Sequence, residues 1–134
     1  MTSPQEAFEY FRTRLNREVE EFWIATLNAN KQVTASQCLF RGTVDHCLFH
    51  PRDVFRFACL HNASSFVVAH NHPSLALAPS DLDVRITEQL LSLALVLELP
   101  IVDHLILGER QSASRYFSFL ESGLLRLRPT ALRL

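Results

Sequence analysis

Two histidines and an aspartate are spaced in a way that suits a metal ion. His70 and His72 flank Asn71, and residues two apart in an extended chain point to the same side, so both imidazoles can reach one ion. Asp83 follows eleven residues later, where a segment with helical periodicity begins. Catalytic zinc sites use three ligands of these types and leave the fourth position to water. A zinc site of His70, His72 and Asp83 is therefore the first hypothesis.

Each of these residues also has a simpler interpretation. A His-x-His pair is common, and by itself it seldom marks a metal site. Residues 80–83, Ser-Asp-Leu-Asp, form a capping-box pattern in which a carboxylate is favoured without any metal. The metal hypothesis gains from the combined strings at 70–74 and 79–83, because neither a core nor a helix cap requires paired histidines at this spacing.

Length and composition limit the kind of protein. With 134 residues, 48% hydrophobic and 20% charged, the chain fits one globular domain over residues 1–134. Three cysteines spaced nine and twelve apart match neither a disulfide framework nor a close-spaced zinc pair. The formal charge is −1, so the chain lacks the excess of basic residues that is typical of nucleic-acid-binding proteins. Nucleic-acid binding remains possible, but the charge does not support it.

The compartment is predicted from missing signals. The N-terminus has no basic segment followed by an apolar run, which a signal peptide would require. The longest apolar stretch, residues 90–99, is interrupted by polar residues and is too short to span a bilayer, so it is predicted to be a buried helix. We therefore expect a cytoplasmic protein without membrane contact.

Helices and strands alternate along the chain and must position the candidate residues. The patterns predict, in order, a helix from a Ser3 cap to about Leu15, strands over Val19–Thr26 and Val33–Phe40, a helix opened by Pro51 and Asp53 and ending near Asn62, a strand over Ser65–His70, a long helix with apolar positions from Leu82 to Leu97, a strand over Ile101–Leu107 and a short strand over Arg115–Ser118. The third strand lacks polar alternation, as is typical of a central strand covered on both faces. It ends at His70.

Taken together, these motifs resemble the RadC family of JAMM (MPN-type) zinc metallopeptidase domains. The JAMM motif is an upstream glutamate, then His-x-His-Pro, a short spacer and Ser-x-x-Asp, and every part is present here. The strings typical of RadC proteins occur at residues 50–55, 70–74, 79–80 and 103–104, so the resemblance covers essentially the whole chain. It implies an α/β fold of three layers, the JAMM or cytidine-deaminase-like type, in which helices flank a mixed sheet with zinc at its edge.

The resemblance implies a role for each site residue. His70, His72 and Asp83 would bind Zn²⁺. Ser80 would hydrogen-bond the oxyanion that forms when water attacks a carbonyl. The implied activity is hydrolysis of an amide or isopeptide bond in a peptide or protein substrate.

The proton carrier would be an upstream glutamate. The family pattern Glu-x-Phe at the first strand of the hairpin fits Glu20, and it would take the proton of the water and pass it to the leaving amine. Glu21 remains an alternative, although the two would face opposite sides of a strand. Without the resemblance, either residue would be read as the solvated end of a charged strand.

The sequence departs from the family in two places. Leu75 stands where RadC proteins usually have glycine, and the spacer over residues 75–78 is apolar. Full-length RadC proteins carry a helix-hairpin-helix region before this domain, whereas here only a short helix is predicted ahead of the first strand, so we expect that region to be absent and carry over no DNA contact from it. Two other functions stay open: a DNA-repair-associated accessory role, and a metal-stabilised interaction module without activity that uses residues 75–78 as its contact surface.

Overall fold

The computed structural model describes residues 1–16, 18–42, 50–72, 77–108 and 116–126. Within these ranges lie the elements α1 (Pro4–Arg12), β1 (Glu21–Leu27), β2 (Val33–Arg41), α2 (Pro51–Leu60), β3 (Ser65–Asn71), α3 (Asp81–Leu97), β4 (Ile101–Leu107) and β5 (Tyr116–Ser118). The predicted order and type of these elements are confirmed, and their ends differ from the predicted ones by at most three residues.

The strands form one mixed sheet in the order β2-β1-β3-β4-β5. Strands β3 and β4 are parallel, and the other neighbours are antiparallel. A parallel pair needs a long crossover connection, which α3 provides between β3 and β4. Every residue of β3 is buried, which confirms the predicted central strand.

Helices cover both faces of the sheet. On one face α1 packs on a cluster that includes Val67 and Ala69 of β3. On the other face, α2 and α3 pack on a cluster that includes Phe66 and Val68. These are the three layers that the resemblance implies. Because strand residues alternate between faces, His70 continues the row that faces α2 and α3.

Helix α3 is more exposed than the sequence predicts. Its buried positions repeat every three or four residues and are Asp83, Ile86, Thr87, Leu90 and Ala94. Its last turn leaves Leu95, Val96 and Leu97 exposed by 63%, 54% and 49%. The prediction of a buried helix is therefore wrong for this end, because only one stripe of the helix meets the sheet.

In the described ranges, no helix is long and apolar enough to cross a membrane.

Candidate metal centre

The three predicted ligand side chains converge. Nε2 of His70 lies 3.0 Å from Nε2 of His72 and 3.1 Å from Oδ1 of Asp83. Nε2 of His72 lies 3.1 Å from Oδ2 of Asp83. With zinc bonds of about 2.0–2.1 Å in tetrahedral geometry, ligand atoms lie about 3.3 Å apart. The spacing of these three side chains is therefore close to what a zinc ion requires.

The carboxylate of this cluster is in the charged form that binds metals. Burial raises the pKa of Asp83, but the hydrogen bonds to His70 and His72 outweigh burial and hold the pKa well below its ordinary value. Asp83 and His70 are almost fully buried, and His72 is partly accessible. Two imidazoles and one carboxylate fit the donor preference of Zn²⁺, and the partly accessible His72 marks the side on which the cluster meets solvent.

Helix α3 places Asp83 through its own N-terminus. The hydroxyl of Ser80 accepts a hydrogen bond from the backbone N–H of Asp83 at 3.1 Å, and the N–H of Ser80 donates to Oδ2 of Asp83 at 2.8 Å. This is a complete capping box. One carboxylate therefore both closes the cap and contacts the two histidines. Ser80 is exposed beside the cluster, and accepting one bond leaves its hydroxyl proton as a donor.

A second carboxylate lies beside the histidines. A carboxylate oxygen of Glu20 and one ring nitrogen each of His70 and His72 lie within 4.8 Å of one another. This trio is a possible metal site in its own right, so Glu20 and Asp83 both border the histidine pair. Glu20 immediately precedes β1, and strand alternation gives it the same face as Phe22, which pairs with His70.

Glu21 is engaged on the opposite face. Its Oε1 accepts hydrogen bonds from the backbone N–H of Asn16 at 2.7 Å and from Nε1 of Trp23 at 2.9 Å. Its Oε2 lies 2.6 Å from Nη2 of Arg41. Burial raises the pKa of Glu21, but these hydrogen bonds outweigh it, and the pKa is lowered. Glu21 thus forms a structural ion pair with Arg41, while Glu20 is the glutamate that lies beside the histidines.

Asn71 is a site residue that the sequence reasoning did not recognise. It lies between the two histidines and faces the other side of the sheet, where its side chain is 1% exposed. Its Oδ1 accepts from the N–H of Glu21 at 2.9 Å, and its Nδ2 donates to the carbonyls of Asn16 and Val19 at 3.2 and 2.8 Å. Asn71 therefore holds the segment that carries Glu20. The sequence signal that could have indicated this role is the position of Asn71 between the two histidines, which turns its side chain to the opposite face of the sheet.

The Asp103-His104 pair lies behind the cluster in β4. The carboxylate of Asp103 accepts from the hydroxyl of Ser118 at 2.6 Å and from the N–H groups of His104 and Leu120 at 2.7 and 3.0 Å. Burial raises the pKa of Asp103 despite these bonds. Asp103 thus holds the turn after β5, whereas Nε2 of His104 lies 2.8 Å from Nδ1 of His70 in the cluster.

Two clefts beside α3 are lined by other residues. One, of about 550 Å³, lies between α2 and α3 and includes Arg52, Arg85 and Glu88. The other, of about 630 Å³, includes Leu95 and Pro100. None of the candidate ligands lines either cleft, so neither defines the site.

Comparison with known proteins establishes the family. Residues 1–124 match the RadC-like JAB domain, and the chain belongs to this family. YeeS of Escherichia coli strain K12, a UPF0758 protein, is 44% identical over 108 residues, which cover 81% of this chain and 70% of YeeS. YfjY of the same strain is 38% identical over 125 residues, 92% of this chain and 76% of YfjY. STH371 of Symbiobacterium thermophilum is 36% identical over 126 residues, 93% of this chain and 52% of STH371.

These findings confirm the predicted family and the mixed α/β fold. The chain spans between about half and three quarters of the length of these relatives, and none of their names states an activity. A possible metal site at Glu20, His70 and His72 is consistent with the family. The ligand roles, the identity of the metal and the reaction remain predictions.

Proposed function

We propose that this domain is a zinc-dependent hydrolase that cleaves an amide or isopeptide bond in a peptide or protein. The observation that carries the proposal is the meeting of His70, His72 and Asp83 at 3.0–3.1 Å, with a second carboxylate, Glu20, beside the same histidines. Two carboxylates with separate tasks are what such a reaction needs, because one must hold the metal and the other must move protons.

The residues divide the task as follows. His70, His72 and Asp83 would hold the ion, which when bound supplies Lewis acidity toward water and carbonyl oxygen. Glu20 takes a proton from the attacking water and returns it to the leaving amine. The hydroxyl of Ser80 donates a hydrogen bond to the carbonyl oxygen as it becomes negative.

Metal content tests the ligand assignment. Protein purified without added metal is analysed for zinc in the wild type, His72→Ala and Asp83→Asn, with the exposed His61→Ala as the matched control. We expect nearly one zinc per chain in the wild type and in His61→Ala, and loss in the other two. A wild type that stays metal-free and cannot be loaded with zinc contradicts the proposal.

Turnover is tested separately because the natural substrate is unidentified. Zinc-loaded protein is incubated with a proteome-derived peptide library, and new termini are detected by mass spectrometry. We expect products from the wild type and a decrease of about 10²–10⁴-fold in Glu20→Gln, the usual effect of removing a general base. Zinc retention without products from the wild type favours a non-catalytic, metal-stabilised module instead.

A further inference from the structure

A chain of hydrogen bonds leaves His70 on the side away from the other ligands and returns to the backbone of Asp83. Nδ1 of His70 lies 2.8 Å from Nε2 of His104, and Nδ1 of His104 lies 2.6 Å from Oγ1 of Thr87. The Thr87 hydroxyl donates to the carbonyl of Asp83 at 2.9 Å. Both intermediate residues are buried, with 0% exposure for His104 and 1% for Thr87.

Counting protons gives this chain a direction. A hydroxyl has one proton, and Thr87 gives it to Asp83, so Thr87 must accept from Nδ1–H of His104. A neutral imidazole has one N–H, so Nε2 of His104 accepts from Nδ1–H of His70. Among the residues that the structure describes, the two ring nitrogens of His104 bond to His70 and Thr87 and to no carboxylate, and full burial then favours the neutral ring.

The direction decides whether His70 can bind a metal. With its proton on Nδ1, the lone pair of Nε2 faces His72 and Asp83. If the donor and acceptor of every bond in the chain were exchanged, Nε2 of His70 would carry the proton and donate it to Oδ1 of Asp83. That nitrogen would then have no lone pair for a metal. The buried carbonyl of Asp83, which can only accept, anchors the first arrangement.

We propose that Thr87 and His104 are positioning residues of the metal centre, which keep the proton of His70 on Nδ1 and present its Nε2 to the ion. The inference rests on the metal-binding role of His70 in the proposed function. It assigns a purpose to two buried polar residues that touch neither the predicted metal position nor a substrate. Partners of this kind affect metal affinity by about 10–100-fold.

Zinc affinity of shape-conserving variants tests the proposal. His104→Phe keeps a ring that can stack on Phe119, whose centroid lies 4.4 Å from that of His104, but it removes the acceptor. Thr87→Val keeps the branched shape and removes the hydroxyl. Competition with a chromophoric chelator should show zinc dissociation constants about 10–100-fold higher in both variants. His104→Gln and Thr87→Ser restore the bonding groups and should stay within a few-fold of the wild type.

A packing control and a spectroscopic readout separate positioning from general stability. Phe119→Leu disturbs the packing of the His104 ring but leaves its hydrogen bonds, so its zinc affinity should match the wild type. In zinc-loaded protein labelled with ¹⁵N-histidine, long-range ¹H–¹⁵N spectra should place the ring proton of both His70 and His104 on Nδ1.

Each outcome has one meaning. A proton on Nε2 of His104, or wild-type zinc affinity in folded His104→Phe and Thr87→Val, overturns the positioning role while leaving the proposed function intact. A wild type that binds no zinc overturns both. If both His104→Phe and Thr87→Val fail to fold, the tautomers of the zinc-loaded wild type decide.

Discussion

In two places, adjacent residues of this chain face opposite sides of the sheet. In each pair, one residue lies at the candidate metal site and the next one stabilises the fold. Glu20 and His70 belong to the face of the candidate metal site. The next residue in each case, Glu21 or Asn71, is buried on the other face and hydrogen-bonded to the segment before β1. Glu20 and His70 are therefore each followed directly by a residue that supports the fold from the other face.

The first prediction at this scale concerns the charge of Glu21. Glu21→Gln removes the ion pair with Arg41 and should lower the free energy of unfolding by roughly 1.5–3 kcal/mol at pH 7, the range for hydrogen bonds to charged groups. The folded state lowers the pKa of Glu21, so this stabilisation is fully present above the ordinary glutamate pKa of about 4.3. It is lost progressively as the pH falls from there through the lower pKa of the folded state.

Urea unfolding at pH 7 and pH 4, with a chelator present, measures this effect. The difference between the wild type and Glu21→Gln should shrink at pH 4. Glu18→Gln, at an exposed position of the same segment, should change the unfolding free energy by less than about 0.5 kcal/mol. A difference that is equal at both pH values would show that the charge of Glu21 is not what stabilises the fold.

At the scale of elements, Asn71 joins the end of β3 to the segment entering β1. Asn71→Ala leaves the N–H of Glu21 and the carbonyl of Val19 without their side-chain partner, at a cost of roughly 1–3 kcal/mol. Because that segment carries Glu20, peptide hydrolysis should fall more than zinc affinity does. Both are measured on Asn71→Ala and on Asn30→Ala, an exposed turn control. Equal loss of zinc and activity would mean that Asn71 supports the ligands and not Glu20.

In the described part of the chain, two helices begin with a serine cap, and only one of them lies at the candidate metal centre. Ser3 accepts from the N–H of Glu6 at 3.2 Å, much as Ser80 accepts from Asp83. Ser3→Ala and Ser80→Ala should each cost about 1 kcal/mol in thermal or urea unfolding. Hydrolysis should fall by about 10²–10³-fold only in Ser80→Ala, as for removal of an oxyanion donor. Similar activity in both variants would limit Ser80 to capping.

The elements and the convergence of His70, His72 and Asp83 could be predicted because their signals are local. Capping residues, prolines and period-two or helical patterns lie within a few positions of the structure they specify. The sequence predicts α1 to about Leu15, but the helix ends at Arg12 and the chain continues in turns, although Leu15 is still buried with Phe11. The partners of Asn71 lie 50 to 55 residues away in sequence, and Thr87 meets His104 across 17 residues, so no local pattern reveals them.

At the scale of the whole molecule, the candidate centre lies where the sheet meets the crossover helix. His70 and His72 come from the end of β3, and Asp83 comes from the first turn of α3. An ion bound to all three would connect the central strand to the helix that leads to β4. Binding to the folded state alone raises stability by RT ln(1 + [L]/Kd), about 2.7 kcal/mol at one hundred times Kd.

Thermal unfolding with and without zinc therefore reports on the whole fold, and it also decides between the two carboxylates beside the histidines. For a domain of this size, that stabilisation corresponds to a rise in Tm of roughly 10 °C. We expect the full rise in the wild type and Glu20→Gln and none in Asp83→Asn, because Asp83 contacts both histidines directly. The opposite pattern would make Glu20 the third ligand and remove it as the proton carrier. A rise that survives in both variants would place the zinc elsewhere in the protein.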